Sequence, residues 1–204
     1  ENIDIPLIKR VAQTGKPMIV STGMASISEL DDLVRTAKKN GCQDLTLLKC
    51  TSSYPATPEG TNLLTIPHMK ELFKCNVGLS DHTIGIGAAV ASVALGAMVI
   101  EKHFTLSRAD GGVDAAFSME PAEMAQLVRE CNTACEALGE VSYEMQEQEN
   151  KSVVFRRSLY IVEDMKAGDI ITKKNMRSIR PGLGLSPKYY EPLLGKQVIS
   201  DVKR

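Results

Sequence analysis

The chain has 204 residues, of which 43% are hydrophobic and 24% charged, and its formal net charge is -1. This is the composition of a globular protein of one or two domains, and the balanced charge gives no basis for binding nucleic acid or an anionic membrane surface. No apolar run reaches the roughly 20 residues that cross a bilayer. Five cysteines without a C-x-x-C pair predict neither a disulfide framework nor a zinc ribbon. We therefore expect a cytoplasmic protein.

Short apolar runs alternate with amphipathic segments in the first part of the chain, a pattern typical of βα units around a parallel sheet. The predicted strands span 18–21, 45–50, 77–80 and 98–103. The predicted helices span 5–13, 27–39, 67–73, 88–95 and 121–138, the last with Ser118 as its N-cap. An eight-stranded barrel typically needs about 250 residues. The residues alone therefore leave open a small open sheet or one half of a barrel.

The pattern changes after an acidic, glutamine-rich segment, residues 140–152, which we interpret as a linker. Short strands are predicted at 158–162 and 170–172, and Arg180-Pro181-Gly182 is incompatible with a regular element. The sequence thus predicts a first domain at 1–139, the linker, and a small, mostly β domain at 153–204.

Each predicted strand of the first domain ends in side chains suited to binding. These are Ser21-Thr22, Thr51-Ser52-Ser53, Ser80-Asp81-His82, and His103 with Thr105. Because the carboxyl ends of parallel strands form the active-site face of α/β folds, we expect one shared site. Hydroxyls and loop N–H groups there suit a phosphate or a carboxylate.

His82 and His103 end neighbouring predicted strands, where two imidazoles suit a divalent transition metal. A histidine in this position also fits a purely structural role. Glu101 lies two residues before His103 and so faces the same side of the strand, as a base, as a partner of the metal site or as half of an ion pair.

Several segments together resemble the sialic acid synthase family. Its motifs match Ser80-Asp81-His82-Thr83 and Glu101-Lys102-His103-Phe104-Thr105, along with Ser21-Thr22-Gly23-Met24 and Arg180-Pro181-Gly182, in order over nearly the whole chain. Lys49-Cys50-Thr51-Ser52 and Asp110-Gly111-Gly112-Val113-Asp114 are most similar to the pseudaminic acid synthase branch. The legionaminic and neuraminic acid branches share the core motifs.

The resemblance implies an α/β fold, the C-terminal half of a (βα)8 TIM barrel followed by a small antifreeze-like (SAF) domain. It also implies a domain-swapped homodimer, four further βα units upstream, and a small domain that continues past Arg204. We expect the 204-residue stretch by itself to be inactive and poorly stable, because half a barrel leaves two sheet edges open.

The implied reaction condenses phosphoenolpyruvate with an N-acetylated amino sugar, a diacetamido-trideoxy-altrose, to give pseudaminic acid and phosphate by C–O cleavage. The resemblance assigns a divalent metal (Mn²⁺, with Mg²⁺ or Co²⁺ as alternatives) to His82 and His103. The chemistry of the reaction then makes Glu101, or a metal-bound water, the group that transfers protons. The resemblance assigns phosphoenolpyruvate to Ser21, Ser52 and Ser80. It assigns the sugar to Tyr54, Asp114 and, from the other subunit, Arg180.

Other functions remain open from the sequence. Within the family these are N-acetylneuraminate and legionaminate synthesis. Related barrel enzymes, such as keto-deoxy-octulosonate or heptulosonate synthases and metal aldolases, lack an antifreeze-like tail. A non-catalytic sugar-binding or ice-binding module is a further alternative, which Lys166, Lys173, Lys174 and Arg177 disfavour for ice because that surface would be strongly charged.

Overall fold

Four parallel strands form the sheet of the first part of the chain, in the order in which they occur. They are β1 (Met18–Ser21), β2 (Leu45–Cys50), β3 (Asn76–Asp81) and β4 (Val99–Lys102). The computed structural model describes residues 1–204, and the chain divides into two compact units, Glu1–Glu140 and Val141–Arg204. Since all four strands run in the same direction, their carboxyl ends lie at one edge of the sheet.

Helices precede and separate these strands, close to the predicted positions. They are α1 (Ile5–Ala12), α2 (Ile27–Lys39), α3 (Thr65–Phe73), α4 (Gly87–Ala94) and α5 (Pro121–Leu138). Ser26 and Glu29 form a capping box at the start of α2, with Ser26 N–H donating to Glu29 Oε2 at 2.7 Å.

The predicted N-cap of α5 was wrong. Glu120 caps this helix together with Glu123, and Ser118 Oγ instead donates to the Asp114 carbonyl oxygen at 2.7 Å. Ser118 therefore does not cap the helix. Its short hydroxyl hydrogen-bonds a nearby backbone carbonyl in the segment before α5 instead.

The core of the first unit lies between the sheet and α2 and α3. Leu33 of α2, Ile66 of α3 and Leu47 and Val77 of the central strands are all inaccessible to solvent. Truncating one such leucine or isoleucine to alanine typically costs about 2–5 kcal/mol. The strands that present the site are thus held from behind by a dry, close-packed layer.

Gly78 allows the central strands to approach closely. A Cβ at this position would overlap the Val99 carbonyl oxygen and a methyl group of Leu48. Any larger residue would therefore push β3 away from its neighbours.

The second unit contains a two-stranded antiparallel sheet of β5 (Ser158–Ile161) and β6 (Met176–Ile179) and the short helix α6 (Tyr190–Leu193). Its core consists of Leu159, Met165, Ile171 and Met176. The predicted strand at 170–172 was wrong, because there the chain makes one isolated bridge, Ile170 to Gln197.

Part of the segment predicted as a linker is ordered as a 3₁₀ helix, Glu147–Phe155. No helix in either unit is both long and apolar enough to cross a membrane.

Candidate functional site

A cleft of about 310 Å³ opens at the carboxyl edge of the parallel sheet. Seven of the nine predicted site residues line it: Ser21, Ser52, Tyr54, Ser80, His82, Glu101 and His103. The strand ends therefore do converge, and the ligands assigned to these residues stay predictions.

The two histidines lie side by side in this cleft. Their ring centroids are 5.1 Å apart and the ring planes are inclined at 71°. His82 is buried, and its Nδ1 lies 2.9 Å from the Thr51 carbonyl oxygen. Because a carbonyl oxygen only accepts, Nδ1 carries the proton in the neutral ring, and the lone pair is left on Nε2.

This arrangement fits a divalent transition metal. A ring nitrogen held by a backbone carbonyl, with the other nitrogen bare, is the usual state of a metal-binding histidine. His103 is 29% exposed, and its Nδ1 lies 3.7 Å from Asp114 Oδ2, which is too long for a hydrogen bond. No group of three or more His, Cys, Asp or Glu side chains is arranged to hold a metal ion. The protein groups that could hold a cation here are therefore the two imidazoles, and the remaining coordination positions would be open to water and substrate.

Glu101 is held by Ser80 across the strand pair. The two residues are partners in the register of β3 and β4, and Ser80 Oγ donates to Glu101 Oε1 at 2.7 Å. Ser80 is buried whereas Glu101 is exposed to the cleft. The serine thus fixes one carboxylate oxygen, and the other remains available to a ligand.

The turn after β1 brings Gly23 against Ser52. A Cβ at Gly23 would overlap Ser52 Oγ and press on Cys50 Sγ. Asn2 holds this turn, because its amide nitrogen donates to the carbonyl oxygens of Ser21 and Gly23 at 3.1 and 2.9 Å. Sequence reasoning missed Asn2 and the role of Gly23. Asn2 is 19 and 21 residues from its acceptors, and no local pattern indicates such a contact.

Aromatic rings form one wall of the site. Tyr54 lies 4.4 Å from His82 between ring centroids, and Phe117 lies 5.1 Å from His103. Phe117 was not predicted as a site residue, because it lies in a 3₁₀ helix of only three residues, Ala115–Phe117, which is too short to show a periodic pattern. Tyr54 lines the cleft, and Phe117 packs against both Tyr54 and His103.

Arg108 fastens the loop that carries Asp114 and Phe117. Its guanidinium pairs with Glu123 of α5 and donates to the Ser118 carbonyl oxygen at 3.0 Å. The hydrogen bond from Arg108, helped by the Glu120 backbone N–H, lowers the pKa of the Glu123 carboxyl below its ordinary value. The pair is exposed, so it orders the loop more than it stabilises the fold.

Arg180 lies in the second unit, just after β6, and is exposed. Its assignment to the sugar of a partner subunit stays a prediction. Lys49, at the end of β2, donates to the Cys50 carbonyl oxygen at 3.0 Å, and partial burial lowers the pKa of its ammonium group.

Comparisons with known proteins bear on both units. The sequence profile of the NeuB family matches residues 1–143, and that of the SAF domain matches residues 156–204. A pseudaminic acid synthase from Campylobacter jejuni is 42% identical over 200 residues, which make up 98% of this chain and 58% of the relative. An N,N'-diacetyllegionaminic acid synthase from the same organism is 39% identical over 206 residues, 100% of this chain and 62% of the relative.

A solved structure supports the fold. The N-acetylneuraminic acid (sialic acid) synthetase of Leptospira borgpetersenii superposes with a TM-score of 0.68 at 37% identity, over 74% of this chain and 53% of that structure. The chain therefore spans somewhat more than half the length of these relatives. The predicted half of a barrel and the small SAF domain are confirmed, and the chain belongs to the NeuB family.

Proposed function

We propose that the intact protein containing this chain condenses phosphoenolpyruvate with an N-acetylated amino sugar to form a nonulosonic acid and phosphate. One observation carries this proposal: two imidazoles, a carboxylate and three serine hydroxyls meet in a single cleft at the strand ends. The family supports it, since the curated relatives are named as pseudaminic and legionaminic acid synthases.

His82 and His103 would hold a divalent cation, Mn²⁺ in our proposal with Mg²⁺ or Co²⁺ as alternatives, which acts as a Lewis acid on the sugar aldehyde. Both rings face one cleft, with centroids 5.1 Å apart, so they can serve the same small ion. The hydrogen bond from His82 to Thr51 keeps that ring in the tautomer this role requires.

The serine hydroxyls are suited to the anionic substrate. Ser21, Ser52 and Ser80 end three neighbouring strands and line the same cleft. In our proposal they donate to the carboxylate and phosphate oxygens of phosphoenolpyruvate and direct its C3 towards the aldehyde carbon. Hydrogen bonds to charged acceptors are among the strong ones, so three of them would orient the substrate as well as bind it.

Glu101 is the group placed to move a proton. When C3 of phosphoenolpyruvate bonds to the aldehyde carbon, positive charge develops at C2, and water adds there. The aldehyde oxygen takes up a proton to become the new hydroxyl. Glu101 accepts one proton of the added water, and the C–O bond to phosphate then breaks as the second proton is lost, which leaves the ketone and inorganic phosphate. A carboxylate fixed through one oxygen by Ser80, and free at the other, suits such a general base.

The acceptor we propose is a diacetamido-trideoxy-altrose, which Tyr54 and Asp114 contact together with Arg180 from the second subunit of a domain-swapped homodimer. Tyr54 is 54% exposed at the wall of the cleft, and Asp114 lies beside His103. The cytoplasmic location expected from the sequence belongs to the same proposal.

Phosphate release tests this function. The intact protein is mixed with Mn²⁺, phosphoenolpyruvate and a panel of amino sugars that includes the altrose derivative and N-acetylmannosamine. We expect rapid phosphate release with the altrose derivative and little with N-acetylmannosamine. Preference for N-acetylmannosamine would place the protein in the neuraminic branch, and no release with any sugar would overturn the proposed activity.

A further inference from the structure

A buried ion pair lies between the last residues of β3 and β4, and the proposed reaction uses neither partner. Asp81 and Lys102 are opposite each other in the register of the strands, with Lys102 Nζ 2.8 Å from Asp81 Oδ2. The Asp81 side chain is 0% exposed and that of Lys102 is 2% exposed. Since side chains alternate along a strand, both point away from the cleft that their neighbours Ser80 and Glu101 face.

The pair belongs to a complete hydrogen-bond network around the end of β3. The second carboxylate oxygen of Asp81 accepts from the backbone N–H of Thr83 at 2.9 Å and from its hydroxyl at 2.8 Å. Lys102 also donates to the Thr83 carbonyl oxygen. Thr83 directly follows His82, so the network holds in place the residues immediately before and after that histidine.

Each member of the pair is the chain neighbour of one histidine. Asp81 precedes His82, and Lys102 precedes His103. From the loop side, Ala56 N–H donates to the His82 carbonyl oxygen at 2.9 Å, and Met119 N–H donates to the His103 carbonyl oxygen at 2.8 Å. The ion pair links these two anchored segments across the strands, next to the hydrogen bond between Ser80 and Glu101.

We propose that Asp81 and Lys102 are positioning residues, whose bond across the strands sets the separation of His82 and His103 for a divalent cation. A displacement of about 1 Å in a binding group is enough to degrade a site. Stability alone is a weak reason for such a pair, because replacing a buried ion pair with well-packed hydrophobic residues of similar volume is often neutral or stabilising, whereas removing one partner alone is costly. A role in positioning the histidines and a role in stabilising the fold therefore predict different results when both charges are removed together.

The test uses the intact protein with Asp81→Asn and Lys102→Met combined. The introduced amide oxygen still accepts from Thr83, and the introduced thioether chain fills the volume of the lysine stem. We expect the unfolding midpoint to stay near that of the native protein while the affinity for Mn²⁺, measured by calorimetric titration, falls about 10- to 100-fold. The matched control is Lys166→Met with Asp201→Asn, an exposed pair with the same 2.8 Å separation, which should leave Mn²⁺ affinity unchanged.

A second variant covers the case in which the double variant fails to fold. Lys102→Arg keeps the charge and can still donate to Asp81, so we expect it to bind Mn²⁺ more tightly than the double variant even though a guanidinium differs in shape from an ammonium group. Native affinity in the double variant would overturn the proposal. So would Lys102→Arg binding as weakly as the double variant, because the cross-strand charge pair would then not be the feature that matters.

This inference rests on the proposed metal site. A measurement on metal-free protein distinguishes failure of the positioning role from failure of the metal site. In metal-free protein labelled with ¹⁵N-histidine, native His82 should show a protonated Nδ1 and a bare Nε2 by NMR. The double variant should lose this preference as the end of β3 shifts, and an unchanged His82 signal would overturn the positioning role. Failure of the native protein to bind Mn²⁺ would instead overturn the metal part of the proposed function.

Discussion

The two compact units both contain lysine–aspartate pairs with N–O distances of 2.8 Å, yet the pairs have different surroundings. Asp81 and Lys102 in the first unit are almost fully buried, whereas Lys166 and Asp201 in the second unit are 80% and 57% exposed. An exposed pair is screened by water and contributes little, while a buried charge that loses its partner is costly. The N–O distance alone therefore does not show how much the loss of a pair would cost the protein.

The same contrast holds for the polar groups as a whole. In the first unit, hydroxyls, imidazoles and a carboxylate converge on one cleft. In the second unit, Lys166, Lys203 and Lys174 each reach a nearby carboxylate at the surface. We infer that chemistry is concentrated in the first unit, and four experiments with substituted proteins test this, from the largest expected effect to the smallest.

The largest effect is expected from His82→Ala or His103→Ala in the intact protein. Loss of an imidazole that holds the cation removes Lewis-acid assistance worth several kcal/mol, so phosphate release should fall at least about 1000-fold. His68→Ala is the control, because that histidine is exposed on α3. Near-native turnover in either site variant would contradict the assignment.

Glu101→Gln should have the next largest effect. Glutamine still accepts the hydrogen bond from Ser80 but does not take a proton, so kcat should fall about 10²- to 10⁴-fold with little change in KM for phosphoenolpyruvate. Glu163→Gln, which alters an exposed glutamate of the second unit, serves as the matched control. A kcat equal to that of the control variant would remove Glu101 from the proton-transfer step.

Gly23→Ala should produce a smaller, more selective loss. The added methyl group would displace Ser52 Oγ, and we expect KM for phosphoenolpyruvate to rise about tenfold, in line with the cost of overpacking. The control is Gly87→Ala, since a Cβ at Gly87 meets nothing within 4 Å. If steady-state kinetics show equal KM values for the two variants, Ser52 does not contact the substrate.

Lys166→Met should have the smallest effect, a change in unfolding midpoint within about 2 °C and no change in turnover. The hydrogen bond from Lys166 lowers the Asp201 pKa below its ordinary 3.8, helped by the Ala167 backbone N–H. Because the folded pKa is depressed, this contribution is present above pH 3.8 and lost as pH falls through the folded value. Thermal unfolding from about pH 7 down to about pH 3 should show the two proteins converging, and a growing difference would contradict the sign.

Much of the first unit was predictable because its signals are local. Alternating apolar runs located β1 to β4 within a few residues, and parallel strands bring their carboxyl ends to one edge. The predicted strand at 170–172 failed because two adjacent isoleucines precede a turn, in which Asn175 Oδ1 accepts from Thr172 N–H at 2.7 Å. β6 was missed because only Met176 among its residues is buried.

The unpredicted parts of the site depend on contacts between distant residues. The tautomer of His82 follows from a carbonyl oxygen 31 residues earlier, and the Asp81–Lys102 pair spans 21 residues. That pair follows from the strand register, since Ser80-Asp81-His82 lies alongside Glu101-Lys102-His103. From the sequence, individual roles were predicted only for the outer members of these two triplets, which line the cleft.

Direct titration of Mn²⁺ into the metal-free intact protein tests the central claim, that the two histidines of the cleft hold the cation. We expect one bound ion per chain in the native protein and in His68→Ala, and no measurable binding in His82→Ala combined with His103→Ala. Equal binding by the native protein and that double variant would contradict the account.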